Sequence, residues 1–376
     1  MDNRHVNMLK AAVPYTSPRF RKPMQILIQA QELASYIRDD DEADLSACGL
    51  ESAGDVEGMM ESMRGFCSKQ EQDTVDMVLN LLRTQKFYRA YRQFMASGKN
   101  NSDNAMFEFL MSQLAPDQQA SFEKMTIMYQ AMKQADQSYN GALRSASGRA
   151  GGDGAKLQQY NAQGKNICGD FIGKVMEKAI KMGESNACMR RIVAAPTAGS
   201  CGVLPAVLLS YEEDFSATQE DLVKALYVAA GIGTVIAENA SLAGASGGCQ
   251  AEIGSASAMA AGALASLQGG DAETIMHAAA LALKNMLGLV CDPVAGLVEV
   301  PCIKRNSCGA VNAVTSAQLA LAGIRSAIAP DDVIDSMRRI GNQLPPCLKE
   351  TSEGGLAVTE SARAYQRHSN KRRIEK

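Results

Sequence analysis

The chain has 376 residues, 46% hydrophobic and 21% charged, with a formal net charge of −3. That supplies a sizeable core in a soluble, globular chain and excludes an electrostatic footprint for nucleic acid or an anionic membrane. No apolar run approaches the roughly 18 residues of a membrane span, and M-D-N-R-H-V-N-M-L-K at the start has no apolar signal core, so a cytoplasmic location is expected.

Residues 1 to about 70 are weakly patterned, with an acidic run from Asp39 to Glu42 and a turn-like G-L-E-S-A-G around Gly49. From Glu71 the signal improves: Val75, Met77, Val78, Leu81 and Leu82 follow a helical period. Further helices are predicted over Asn104 to Leu114 and from Pro116 to about Gln137, where proline suits a first turn. Phe87, Tyr88, Tyr91 and Phe94 recur at helical spacing and read as core. The glycine-rich S-A-S-G-R-A-G-G-D-G, Ser145 to Gly154, marks a domain boundary. It divides a smaller helical N-terminal region of unknown role (1–145) from a catalytic domain (146–376). Gly151-Gly152-Asp153 is either a hinge or part of an active-site frame.

Beyond it the chain is rich in Ala, Gly and Met, with little strand-like alternation. Helices are predicted over Leu157 to Gln163, Cys168 to Met182, Ala206 to Leu209, Thr218 to Glu238, Gly254 to Leu267, Ala272 to Met286, Ala310 to Ala322 and Pro330 to Ile340. Thr218-x-x-Asp221 resembles a capping box with an acid at its fourth position. Small residues such as Ala256, Ala258, Ala260 and Gly262 allow close helix packing. The expected fold is mainly α, a helical catalytic domain whose loops carry the chemistry.

Gly231-Ile232-Gly233 lacks the rest of a dinucleotide fingerprint and lies in an apolar helical pattern. No glycine-rich phosphate cup accompanies a Schiff-base lysine. The three histidines, His5, His277 and His368, stand apart in sequence from the glycine-rich loops, which argues against a Ser-His-Asp triad. Three of the ten cysteines stand out at Gly- or Pro-marked breaks: Cys249 after Gly247-Gly248, Cys291 before Asp292-Pro293, and Cys302 after Pro301. Breaks of that kind place thiols on loops, and in a reducing compartment they read as free thiols or metal ligands. None has the C-x2-C step of a zinc knuckle or ferredoxin, so a shared site must be assembled by folding. Three thiolates on an iron-sulfur cluster leave one iron open as a Lewis acid; the alternative is three inert buried thiols.

The segments P-T-A-G-S-C-G-V-L-P-A-V-L (196–208), G-G-C-Q-A-E-I-G-S-A-S-A-M-A-A (247–261) and N-M-L-G-L-V-C-D-P-V-A-G-L-V-E-V-P-C-I-K-R-N (285–306) resemble the alpha chain of the iron-sulfur-dependent L-serine dehydratases. The likeness runs from about Gly151, with G-G-D-G-A-K-L-Q-Q-Y, to about Leu356, with L-K-E-T-S-E-G-G-L-A. It implies an L-serine ammonia-lyase that converts L-serine to pyruvate and ammonia on a 4Fe-4S cluster held by Cys249, Cys291 and Cys302. The family's S-S-S-H-T motif, associated with substrate binding, is absent here, so either a separate beta subunit supplies it or the first 145 residues substitute for it; a beta-subunit partner and an oligomer are expected. A cysteine-ending tail, present in some members, is absent as well: this sequence ends R-R-I-E-K. An iron-sulfur lyase for another amino acid such as L-cysteine, or a non-catalytic cluster sensor, remains the alternative.

For the base that removes the Cα proton the candidates are Ser200, in the T-A-G-S-C-G turn, and Lys284, before the Cys291 segment. Thr197, Asn239, Ser241, Arg305 and Asn306 are polar groups of the same loops and candidate substrate-binding residues, Arg305 as a bidentate carboxylate grip. Cys201 and Cys308 are expected to be buried or to lie just behind the ligands, and Cys347 is not an expected ligand.

Overall fold

The computed structural model describes residues 118–365; the helices expected near residue 71 and at 104–114 lie outside the described residues. Helices α1 (Gln118–Gln137), α2 (Asp153–Ala162), α3 (Asp170–Ala187), α4 (Val203–Phe215) and α5 (Gln219–Asn239) lead into the short α6 (Gly244–Gly247). A π turn over Gln250–Gly254 opens directly into α7 (Ser255–Leu267), and α8 (Ala272–Lys284), α9 (Cys302–Leu321) and α10 (Pro330–Gln343) follow. Among the described residues there is no sheet, only a bridge between Cys291 and Lys349. None of the described helices is long and apolar enough to cross a membrane.

Helix α7, S-A-S-A-M-A-A-G-A-L-A-S-L, is buried continuously from Ser255 to Ala265. Its small side chains let α4, α5, α8 and α9 close around it. A Cβ on Gly262 would stand 2.2 Å from Ile232 Cδ1 of α5, so that crossing depends on the missing methyl. Several polar groups inside this packing are paired, although the buried hydroxyls of Ser210, Ser255 and Ser316 have no hydrogen-bond partner among the described residues. Asn312 of α9 donates to Ser257 Oγ and to the Ala282 carbonyl, each at 2.8 Å, and accepts from Asn285 at 2.8 Å. Ser257 donates in turn to the Gly309 carbonyl at 2.8 Å. One amide thereby joins α7, α8 and α9, and leaving such buried groups unpaired would cost about 1–3 kcal/mol each.

The helix ends show why the segments stop where they do. Thr218 and Asp221 form a reciprocal capping box at the start of α5, and Asp271 caps α8 through the Thr274 amide. Pro330 opens α10, with Asp331 and Asp332 in its first turn. Helix α4 is longer than the predicted Ala206 to Leu209. Pro205 falls in its first turn, where a missing N–H does no harm, and Y-E-E-D-F continues it.

Helix α1 packs through Ser121 to Tyr227 (2.7 Å), Lys133 to Glu212 (2.8 Å) and Asp136 to Lys178 (2.8 Å). The glycine-rich stretch before α2 is held rather than open. The Glu184 carboxylate of α3 accepts the amides of Gly152 (3.1 Å), Asp153 (2.7 Å) and Gly154 (3.1 Å), and the Tyr139 hydroxyl (2.5 Å). Asp153 then reaches forward to Lys304 of α9 at 2.6 Å, two residues after Cys302.

Candidate active site: three thiols and a carboxylate

Cys249, Cys291 and Cys302 come from three separate segments and all are buried. Cys291 lies on an extended loop, its amide donating to the Leu348 carbonyl (2.9 Å) and its carbonyl accepting the Glu350 amide (2.8 Å). The expectation that all three sit on loops needs correcting, because Cys302 is the first residue of α9 and Cys249 immediately precedes the π turn. The reason lies in the residues that follow. I-K-R-N-S-C-G-A continues helically from Pro301, and Q-A-E-I-G winds straight into α7. At a helix start, free amides and the dipole favour a thiolate over a thiol.

The three sulfurs are close enough to feel one another. Burial pushes the Cys302 thiol up to about 12, with the charges of Cys249 and Glu252 adding to it. Burial likewise raises Cys249 to about 11, against the opposing pull of the Arg305 guanidinium. Cys291 is raised further still by burial, then by Glu252, Cys249, Glu350 and Cys302. Bare thiols here hold their protons, and only a strong electrophile such as a metal would make thiolates of all three.

Sequence reasoning missed Glu252, the acid in the middle. It hides as a lone acid in a run of small apolar residues, A-E-I-G, and that isolation was the available signal. Burial raises its pKa, although the hydroxyl of Thr197, donating to Oε1 at 2.8 Å, works the other way. Oε2 is 4.0 Å from Cys291 Sγ. A Cβ on Gly244 would lie 2.8 Å from Oε2 and 3.0 Å from Cys291 Sγ, so both groups approach α6 as closely as they do only because its face is bare there.

Arg305 is already engaged. Its guanidinium donates to the Val290 carbonyl (2.7 Å) and to Asp292 (3.0 Å), and it stands beside Cys249. Asp292 is only 4% exposed, so this is an inward ion pair, and the second Asp292 oxygen accepts the Leu356 amide at 2.8 Å. The geometry gives Arg305 a post beside the cysteine loop.

Thr197 and Ser200 hydrogen-bond each other at 3.1 Å, and Ser200 is fully buried in the turn before α4. Gly202 occupies the N-cap of that helix. Asn306 pins the turn to α9: Oδ1 accepts the Gly202 amide (2.8 Å), and Nδ2 donates to the carbonyls of Gly199 (2.8 Å) and Cys302 (2.9 Å). Thr197, Ser200, Arg305 and Asn306 therefore gather with the cysteines.

The other candidates point elsewhere. Lys284 ends α8 and donates to Ser326 Oγ at 3.1 Å. Asn239 is exposed and donates back to the Val235 carbonyl at 2.7 Å. Ser241 accepts the Ala243 amide at 3.1 Å and faces a separate cavity. Cys201 is buried, its thiol pushed up to about 12 by burial. Cys308 is exposed on α9, contrary to expectation, because the helix turns it outward. Cys347 is half-buried.

Comparison with known proteins places this arrangement among relatives. The family model described as "Serine dehydratase alpha chain" matches residues 30–357. The chain is 48% identical over 246 residues to the probable L-serine dehydratase, alpha chain, of Bacillus subtilis, covering 65% of this chain and 82% of that one. The L-serine dehydratase, alpha chain, of Peptoniphilus asaccharolyticus is 47% identical over 212 residues, 56% of this chain and 73% of that one. L-serine dehydratase 1 of Escherichia coli is 44% identical over 185 residues, 48% of this chain but 40% of the longer relative.

Proposed function

The chain belongs to the serine dehydratase alpha chain family, and on that footing we propose that it is an iron-sulfur-dependent L-serine ammonia-lyase, converting L-serine to pyruvate and ammonia. The observation that carries this reading is the convergence of Cys249, Cys291 and Cys302 from three segments onto one buried centre. Among the described residues, no three His, Cys, Asp or Glu side chains are gathered as a single metal ion requires. What supports a 4Fe-4S cluster is the donor set itself, three thiols that would serve three of four irons and leave the fourth without a protein ligand, with Cys291 Sγ and Glu252 Oε2 close against the bare Gly244. When bound, such a cluster would supply a Lewis acid for the departing hydroxyl.

The chain's own residues do the rest. Glu252 Oε2 lies within reach of the thiol centre, and burial raises its pKa, the direction that makes the carboxylate a stronger proton acceptor. Thr197 fixes the other carboxylate oxygen, and Ser200 holds Thr197, so the two hydroxyls aim Glu252. Arg305 already gives donors to Asp292 and Val290, which leaves fewer for a substrate carboxylate. That favours a beta subunit as partner, in keeping with the alpha-chain names of the Bacillus and Peptoniphilus relatives.

The test is anaerobic preparation with and without a co-expressed beta chain, scoring iron, visible absorbance and pyruvate released from L-serine. Sulfide released from L-cysteine serves as the comparison substrate. Full turnover by iron-free protein would reject the cluster, and faster release from L-cysteine would reassign the substrate.

A further inference from the structure

Between the segments flanking Cys249 and helix α10 lies a cavity of about 170 Å³ that shares none of its lining with the cysteines, Glu252, Thr197, Ser200 or Arg305. Its floor is Gly247 and Ala251, and its walls carry Ser241, Ser246, Arg338 and Asn342. The lining thus brings two hydroxyls, an amide and a guanidinium to a space the size of a three- or four-carbon acid. Arg338 meets Asp335 through Nε (3.1 Å) and Nη2, while Arg339 meets the same carboxylate at 2.8 Å. Asp335 thus serves two guanidiniums, and Arg338 is the one of them that lines the cavity. Among the described residues Arg338 Nη1 has no partner, and a planar donor of that kind matches a carboxylate.

Both sides of the cavity are tied to the cysteine segments by Gln250, which is fully buried. Its Nε2 donates to the carbonyls of Gly247 on the floor (2.9 Å) and Met337 on the α10 wall (3.1 Å). Its Oε1 accepts the Gly288 amide at 2.9 Å, and its own amide donates to the Leu289 carbonyl at 2.9 Å, just before Cys291. Gln250 also follows Cys249 directly. We propose that this cavity is a second binding site, for a small carboxylate, whose occupancy is relayed through Gln250 to the segments bearing Cys249 and Cys291. Coupling of that form is reciprocal between the two sites.

The experiment is calorimetric titration of the full chain with sodium pyruvate, with sodium chloride as the ionic control. Deuterium labelling of the backbone amides over residues 247–251 and 288–291 in the cluster-free protein, with and without pyruvate, reads the coupling. Saturable binding is expected, weakened at least tenfold by Arg338→Ala and by the cavity-filling Ser246→Tyr. Arg339→Ala and Cys291→Ser should leave binding in place, and pyruvate should change the labelling rate in wild type but not in Arg338→Ala. No saturable binding, or binding that survives both cavity variants, overturns the site. Binding lost in Cys291→Ser would move the probe to the thiol centre and also overturn it, while binding without any change in labelling overturns the relay. None of these outcomes depends on a loaded cluster, so a failure here is distinct from a failure of the lyase reading.

Discussion

Replacing Asn306 should separate a packing role from a substrate-binding one. Its amide is 1% exposed and makes three hydrogen bonds, at 2.8, 2.8 and 2.9 Å, to Gly202, Gly199 and Cys302. Asn306→Ala leaves the buried Gly202 amide without its acceptor, at about 1–3 kcal/mol, and opens a small void. The expected loss is about 3 kcal/mol, or roughly 5–10 °C in Tm. Asn306→Asp keeps the acceptor but turns a charged oxygen toward two carbonyls, so at pH 8 it should be less stable than the alanine variant. Burial and those carbonyls would raise the new carboxyl's pKa above its unfolded value. Its favourable contribution is therefore complete below the ordinary carboxylate range and lost as pH rises through the folded value, and the aspartate variant should recover toward wild type near pH 5. Urea unfolding of the three proteins at pH 5 and pH 8 measures this. Equal stability of the two variants at both pH values, or a loss under 0.5 kcal/mol for alanine, would refute the reasoning.

Gly244→Ala places a methyl 2.8 Å from Glu252 Oε2, where ordinary contact begins at 3.4 Å. A displacement of that scale should lower kcat/KM for L-serine about 100-fold with Tm little changed; activity within twofold of wild type would count against the site. Glu252→Gln should cut kcat by about 100-fold or more. Because burial raises the carboxyl's pKa, its favourable contribution to stability fades as pH rises through the folded value, so the glutamine variant should lose less stability than wild type between pH 5 and 8 in urea titrations. Lys156 and then Lys304 lower the pKa of Asp153, so its contribution is present above about pH 3.9 and lost as pH falls through the folded value. Asp153→Asn should cost about 0.5 kcal/mol at pH 7, and that cost should shrink as pH falls below the ordinary carboxylate range, by chemical denaturation. Serine at Cys249, Cys291 or Cys302 should abolish bound iron, measured colorimetrically, whereas Cys347→Ser should retain it.

Helices with regular apolar faces and chemical caps were legible: the predicted Thr218 to Glu238 and Ala272 to Met286 correspond to Gln219–Asn239 and Ala272–Lys284. Helix α9 was read from Ala310 because K-R-N-S-C-G looks like a loop, yet its polar side chains are what secure the turn from Gly199 to Gly202 and the Asp292 loop. The cysteine triplet stood out through its Gly and Pro flanks, but its mutual approach belongs to tertiary packing around α7. Nothing periodic distinguishes Arg305 as a partner of Asp292, and Lys284, chosen for nearness in sequence to Cys291, is turned by α8 toward Ser326. Nearness along a chain is a weak guide once a helix intervenes, since each residue rotates the side chain by about 100°.

The Glu184 carboxylate seated on the amides of Gly152, Asp153 and Gly154 means that the protein brings its own counter-anion to the start of α2. Successive glycine-rich amides at a helix start are chemically the groups that cradle phosphate in nucleotide-binding loops. Here the berth is taken by a side chain that never diffuses away. Phosphate and sulfate buffers have nothing to occupy there, and a change of anion in the medium leaves the amides next to the Lys304 contact undisturbed.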